Sequence, residues 1–405
     1  MAIPSNRYSK ARLIIKDKDG NPVAGKKIRA QLKNHEFLFG CGGFDFVAYH
    51  NVPDEKMKEF FRERTEYWLD VFNFATLPFY WGNFEREEGK PMTESVMKTA
   101  LDLKEKGVKL KGHPLCWHTV CADWLLKYDN ETIMQKQLQR IQREVGGFKG
   151  IIDMWDVINE VVIMPVFDKY DNAVTRICNE YGQVGLVKKV FEEARKNNKD
   201  ATLLINDFNT TPKYEDLIER CLDAGVEFSA IGIQSHQHQG YWGREKTEDV
   251  LERFSRFGLP LHFTENTILS GTPVPSYIED LNDWQVDEWP SLPEYEKIQE
   301  EQIKEMYTIL FEHPQVQAIT YWDFSDGAWL KAPSGFVRTD NTLKPSYYML
   351  RDLIHKEWST NVEIVTDSDG AVTLEGFKGE YIINCDNKEA KFTLSDDSDT
   401  VTIVI

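Results

Sequence analysis

The chain has 405 residues and a formal net charge of −18, with 41% hydrophobic and 28% charged residues. That balance supports a sizeable folded core, excludes a phosphate-binding surface, which needs clustered Lys and Arg, and leaves no apolar run long enough to span a bilayer. The six cysteines, Cys41, Cys116, Cys121, Cys178, Cys221 and Cys385, are too sparse for a disulfide framework. Cys116 and Cys121 lack the second pair that a zinc site needs, so reduced thiols are expected. The start Met1-Ala2-Ile3-Pro4 has no apolar stretch behind a basic segment. As written it implies a cytoplasmic protein, or a secreted one if a leader has been removed.

Residues 1–34 form the first region, in which 11–34 alternate apolar and polar positions around Asp17-Lys18-Asp19-Gly20-Asn21-Pro22, the pattern of a hairpin. Residues 35–358 alternate short β-rich runs with longer amphipathic stretches. The runs centre near Phe39, Phe74, Gly112, Asp156, Leu204, Ile231, Phe263 and Thr320. Helical patterns cover 55–70, 94–106, 133–145, 187–196, 214–224, 247–257 and 296–311. Eight strands with intervening helices predict an α/β fold, a (β/α)8 TIM barrel, in preference to a doubly wound sheet. Residues 359–405 return to the β pattern around Asp367-Ser368-Asp369-Gly370. Both Asp-x-Asp-Gly turns lack the later ligands of a calcium loop and read as plain turns. The two terminal segments are expected to join into one small β-rich appendage, since domain termini often lie close together.

In such a barrel, function sits at the C-terminal ends of the strands. Polar residues gather there: His113, Trp117 and His118 after strand three, Asn159-Glu160 after four, and Asn206-Asp207 after five. Gln234-Ser235-His236 follow strand six, Thr264-Glu265-Asn266 end seven, and Trp322-Asp323 end eight. A purely structural core has no reason to place charged, amide and imidazole groups at one end of six strands.

Two carboxylates at one barrel mouth can cleave a glycosidic bond, one protonated to serve the leaving oxygen and one ionised to attack the anomeric carbon. Glu160 follows the apolar-rich Met154-Trp155-Asp156-Val157-Ile158, where desolvation raises a carboxyl pKa as an acid requires. Glu265 ends Leu261-His262-Phe263-Thr264, and a nearby His such as His236 would hold it ionised. Trp117, Trp322 and Trp329 lie at or beyond strand ends, where an indole face can stack on a sugar ring. His236 and His238 share a face of an extended segment, but no His-Glu-x-x-His accompanies them, so neither metal nor other cofactor is expected.

These residues resemble glycoside hydrolase family 10, the endo-β-1,4-xylanase family. Gly112-His113-Pro114-Leu115-Cys116-Trp117-His118 with Trp124-Leu125 is similar to the family's strand-three motif, Trp155-Asp156-Val157-Ile158-Asn159-Glu160 to its acid/base motif, and Thr264-Glu265 to its nucleophile motif. Ile205-Asn206-Asp207-Phe208-Asn209, Gly232-Ile233-Gln234-Ser235-His236 and Trp322-Asp323-Phe324-Ser325-Asp326 with Trp329 extend the match in order. The resemblance implies Glu160 as acid/base and Glu265 as nucleophile. It implies sugar contacts from His113, Asn159, Gln234, His236, Trp322 and Trp329, with Trp117, His118, Tyr80 and Trp81 also at the substrate, and a bond from His236 to the nucleophile.

The sequence departs from the family on strand two. The family carries Glu-Asn, two residues, then Lys-Trp, a set that binds the glycone side; here Thr76, Leu77 and Tyr80 stand in place of Glu, Asn and Lys before Trp81. The expected function is a retaining endo-acting β-glycosidase that hydrolyses β-1,4-xylan or xylo-oligosaccharides by double displacement, its partner a polysaccharide or oligosaccharide and neither nucleic acid nor membrane. The alternatives are a family member acting on a different β-linked glycan or glycoside, and a non-catalytic carbohydrate-binding protein.

Overall fold

The structure is a computed structural model describing residues 3–386, 388–396 and 399–405, so Met1 and Ala2 of the terminal reading lie outside the described residues. Two strands, β1 (Tyr8–Lys16) and β2 (Lys27–His35), precede the barrel. The barrel strands are β3 (Leu38–Gly42), β4 (Phe74–Pro78), β5 (Lys109–His113), β6 (Met154–Asn159), β7 (Thr202–Asp207), β8 (Ala230–Ile233), β9 (Leu261–Asn266) and β10 (Val316–Tyr321). They close in the order β10-β3-β4-β5-β6-β7-β8-β9, every pairing parallel. Covered by helices outside and by one another inside, these strands are buried on both faces, as the runs Leu203-Leu204-Ile205 and Leu261-His262-Phe263 require.

The amphipathic stretches form helices close to their expected bounds, including Glu55–Leu69, capped by Asp54, and Asn130–Gly147, capped by Asp129. Among the described residues, four further helices escape the periodicity because they are only four to nine residues long: Phe44–Asn51, Trp81–Phe84, Ala173–Tyr181 and Pro345–Asp352.

Among the described residues, five strands follow the barrel: β11 (Asn361–Val365), β12 (Ala371–Phe377), β13 (Gly379–Cys385), β14 (Lys388–Leu394) and β15 (Thr400–Val404). They combine with β1 and β2 into two sheets, β12-β1-β15 and β11-β2-β13-β14. The appendage therefore joins both chain ends, but the hairpin expected over 11–34 is a correction. β1 pairs with β12 and β15, β2 with β11 and β13, and the two arms meet near the turn, at the bridge from Lys16 to Pro22. The turn at Asp17 is a corner between sheets, and the turn at Asp367 is another. In each, the aspartate Oδ1 accepts amides two and four residues on. The reason is packing. Ala11, Leu13 and Ile15 of β1 and Ile28, Ala30 and Leu32 of β2 all point inward, which two facing sheets satisfy.

The appendage seals the barrel floor, opposite the strand ends that carry the polar residues. Arg7 donates from Nε to Phe311 O (3.1 Å) and from Nη2 to His313 O (2.9 Å) and Val316 O (2.5 Å), with its guanidinium 4.5 Å from the Phe37 ring. All six cysteines are free thiols.

Candidate active site

At the C-terminal end of β6 the chain leaves the extended region abruptly. Glu160 has φ 58°, a left-handed conformation costing a residue with a Cβ roughly 1–2 kcal/mol, and its amide is satisfied by Asn206 O at 2.8 Å. The turn lifts its carboxylate into the mouth. There Oε1 accepts from Gln234 Nε2 (3.0 Å) and Asn159 Nδ2 (3.3 Å), and Oε2 from the indole N–H of Trp117 (2.9 Å). Burial is the main reason that its pKa rises to about 8, with the charges of Asp207 and Glu265 adding to it, against the opposing bonds from Gln234 and Trp117.

Glu265, near the end of β9, meets a different environment. Oε1 accepts from Asn206 Nδ2 at 2.7 Å and Oε2 from His236 Nε2 at 3.0 Å. A carboxylate only accepts, so His236 donates from Nε2, and its Nδ1 lies 3.0 Å from the Thr267 hydroxyl. Burial would raise the Glu265 pKa, but His113, His236 and Lys111 outweigh it and hold the group below the usual carboxylate range. The two glutamates thus ionise in opposite senses at neutral pH, within one connected network. Gln234 Nε2 also reaches Asn159 Oδ1 (3.2 Å), and Asn206 Nδ2 reaches the same oxygen (2.7 Å).

Beneath the mouth, His113 directs Nδ1 to Asp156 Oδ2 (2.8 Å), and Lys111 Nζ lies 2.7 Å from the same oxygen, with both charged side chains fully buried. Burial raises the Asp156 pKa, and Lys111 and His113 reverse that, so Asp156 stays ionised. It accepts from Nδ1–H of His113 and so fixes the orientation of that ring.

A run of rings lines the mouth. Tyr80 lies 5.6 Å from His113 and 5.7 Å from Trp117, Trp322 lies 5.2 Å from His113, and Trp329 lies 4.8 Å from His236. The structure therefore brings together Glu160, Glu265, His113, Trp117, Asn159, Gln234, His236, Trp322, Trp329 and Tyr80. It sets two expected residues aside. Trp81 turns outward, its N–H donating to Glu85 Oε2 (3.1 Å) and its ring over the buried Arg140. His118 is buried beside Phe167, 4.5 Å away, where desolvation lowers its pKa to about 4. On strand two, Thr76 and Leu77 are wholly buried, while Tyr80 keeps partial exposure at the cleft.

Sequence reasoning passed over Asn206, Thr264, Asp156 and Lys111 as working parts of this network. Asn206 holds Glu265 and is itself held by Thr264 Oγ1, which donates to its Oδ1 at 2.6 Å. The signal for Lys111 was its place two residues before His113, which in a strand puts both on one face. His236 is committed to Glu265 and Thr267, and His238 packs edge-on against Trp329 at 5.0 Å. Among the described residues, no group of three or more His, Cys, Asp or Glu side chains could hold a metal ion.

Residues 79–353 match the family model for glycosyl hydrolase family 10. The endo-1,4-beta-xylanase/feruloyl esterase of Xylanibacter ruminicola is 23% identical over 321 residues, 69% of this chain and 40% of that protein. The anti-sigma-I factor RsgI6 of Acetivibrio thermocellus is 23% identical over 393 residues, 93% of this chain and 45% of that protein. The chain thus spans less than half the length of these two curated relatives. The solved structure of GH10 from Paenibacillus barcinonensis superposes with a TM-score of 0.64 at 22% identity, covering 78% of this chain and 95% of that one, and shares the barrel fold. The family model covers well over half of the sequence, and the chain belongs to glycosyl hydrolase family 10.

Proposed function

We propose that this chain is a retaining β-glycosidase that hydrolyses β-1,4-linked xylan or xylo-oligosaccharides. The observation carrying this reading is the opposite ionisation of two glutamates in one hydrogen-bonded network at the barrel mouth. In the first step a Glu265 oxygen forms a bond to the anomeric carbon as the glycosidic C–O bond breaks, and the Glu160 proton passes to the leaving oxygen. In the second, Glu160 takes a proton from water, the water oxygen bonds to the anomeric carbon, and the bond to Glu265 breaks. Asn206 and His236 orient Glu265 for in-line attack. Desolvation keeps Glu160 protonated until the leaving group needs its proton. The xylanase name of the Xylanibacter relative supports the substrate class.

Strand two favours a second reading within the same chemistry, a substituted or different glycone. With Thr76 and Leu77 buried, Tyr80 is the group of that strand which presents a ring to the cleft beside His113 and Trp117.

The test is turnover of the Glu265→Ala and Glu160→Ala variants on an aryl β-xyloside with an activated leaving group. Glu265→Ala loses turnover on all substrates. Glu160→Ala keeps the first step, and added azide restores the second with retained configuration. Azide rescue of Glu265→Ala with retention would exchange the two roles, and activity in the double variant would remove both.

A further inference from the structure

The loops that follow β6 and β9, the strands leading to the two glutamates, are tied to each other. Lys169 in the loop 160–172 lies 2.7 Å from Asp280 and 2.8 Å from Asp283 in the loop 267–292. Each loop has its own foundation. In the first, Phe167 packs on His118 at 4.5 Å and Tyr170 on Phe167 at 4.8 Å. In the second, the Val274 amide donates to His238 O (2.8 Å) and Gln239 Nε2 to Ile278 O (2.7 Å). Lys331 Nζ reaches Val286 O (3.1 Å) and Asp287 O (3.2 Å), and Leu269, Val274, Trp289 and Ala332 form a small core below. At the tip Asp280 Oδ1 accepts the Asn282 amide at 2.8 Å, which sets its carboxylate toward Lys169. Two supported arms therefore meet through three exposed or half-exposed charges.

The barrel order gives this tie its meaning. Going round the mouth from β6 to β9, two strands, β7 and β8, lie on one side, and four, β5, β4, β3 and β10, on the other. A tie between the loops of β6 and β9 is a chord across the opening. His113, Trp117, Tyr80 and Trp322 stand on the four-strand side, and Gln234 and His236 on the two-strand side. A sugar chain with its scissile bond at Glu160 and Glu265, at the ends of β6 and β9, has the β7–β8 side on one hand and the β5–β4–β3–β10 side on the other.

We infer that Lys169, with Asp280 and Asp283, is a clasp that sets how much sugar chain the cleft admits on the β7–β8 side. This deepens the glycosidase reading and rests on it. With the clasp closed the site favours short oligosaccharides, and a polymer enters when the clasp opens. The side chain of Lys169 is 41% exposed and that of Asp283 63%, so the tie is weak and salt-screened, suited to opening rather than to stabilising the fold.

The experiment measures kcat/KM for an aryl β-xyloside, a short xylo-oligosaccharide and soluble xylan, in the wild type, Lys169→Ala and Lys169→Arg. Lys169→Ala is expected to raise the polymer-to-oligosaccharide ratio by about two- to fivefold, the weight of an exposed ion pair, and to leave the aryl glycoside unchanged. Lys169→Arg keeps the wild-type ratio. Raising ionic strength lifts the ratio in the wild type and not in Lys169→Ala. Equal ratios in all three proteins, insensitive to salt, overturn the clasp. Loss of aryl xyloside turnover in the wild type overturns the glycosidase reading instead. Calorimetric affinities for the same oligosaccharide and polymer then make the clasp comparison without turnover, and unchanged relative affinities overturn it there too.

Discussion

Nδ2 of Asn206 lies 2.7 Å from Oε1 of Glu265 and the same distance from Oδ1 of Asn159, so one amide serves Glu265 and the residue beside Glu160 together. Its own Oδ1 is occupied by Thr264 Oγ1, which leaves the amide no other orientation. Removing it frees one Glu265 oxygen to rotate and deprives a buried carboxylate of a charge-assisted bond, an interaction worth about 1.5–3 kcal/mol. Asn206→Ala is therefore expected to lower kcat/KM about 10- to 100-fold, with the circular dichroism spectrum unchanged. Full activity in this variant would show that His236 alone suffices to hold Glu265.

The pH profile follows from the opposed shifts. The proposed mechanism requires Glu160 protonated and Glu265 ionised, so kcat/KM is expected to fall as pH rises through about 8 and as pH falls through the depressed value of Glu265. The Trp117 indole bonds to Glu160 and favours its ionised form. Trp117→Phe removes that preference, raises the Glu160 pKa further and moves the alkaline limb to higher pH while the acid limb stays. A limb that moves down, or does not move, would assign the alkaline limb to another group.

The barrel was legible because a parallel strand buried on both faces must be an apolar run, and one ending in His, Asn, Glu or Asp has nowhere to place them but the mouth. Glu160 and Glu265 were legible for the same reason. The pairing of β1 and β2 was not, because a period of two tells which face is buried and never which strand lies alongside. The outward turn of Trp81 depends on Glu85 and Arg140, the latter nearly sixty residues away in sequence, and sequence spacing carries no trace of that. Nor does it carry the meeting of Lys169 with Asp283, separated by 114 positions.

Lys111 and Asp156 form an ion pair at 2.7 Å with neither side chain reached by solvent. Deleting one partner of such a pair leaves a buried charge uncompensated, at a cost of about 3–5 kcal/mol, whereas replacing both can be nearly neutral. Lys111→Met is expected to lower unfolding stability by that amount in urea, and Lys111→Met with Asp156→Asn to recover much of it. If the double variant is no more stable than the single one, the loss reflects packing rather than charge.

On the register anchored at Trp81, the resemblance puts Tyr80 where the family's strand-two motif has a lysine, and its ring stands 5.6 Å from His113 and 5.7 Å from Trp117. Burial, with Glu265, Asp323 and Glu160 nearby, raises the phenol pKa well above its ordinary value, so the group is neutral wherever the enzyme works. On that register, aromatic surface with one neutral hydroxyl stands where an ammonium would bind hydroxyl groups, and the buried Leu77 offers no amide beside it. A site built on hydrogen bonds rejects an analogue lacking the hydroxyl by about 10⁴-fold or more, whereas an apolar one discriminates by only about 10- to 200-fold. The wild type is therefore expected to accept decorated or non-xylose β-glycosides within about 100-fold of plain xylo-oligosaccharides in kcat/KM. Tyr80→Ala loses about 2- to 10-fold on the decorated substrates through the missing ring contact. Measuring both substrate classes in both proteins decides the matter. A strong wild-type preference for plain xylo-oligosaccharides, unaltered in Tyr80→Ala, would mean that the change on strand two has no bearing on which sugar is bound.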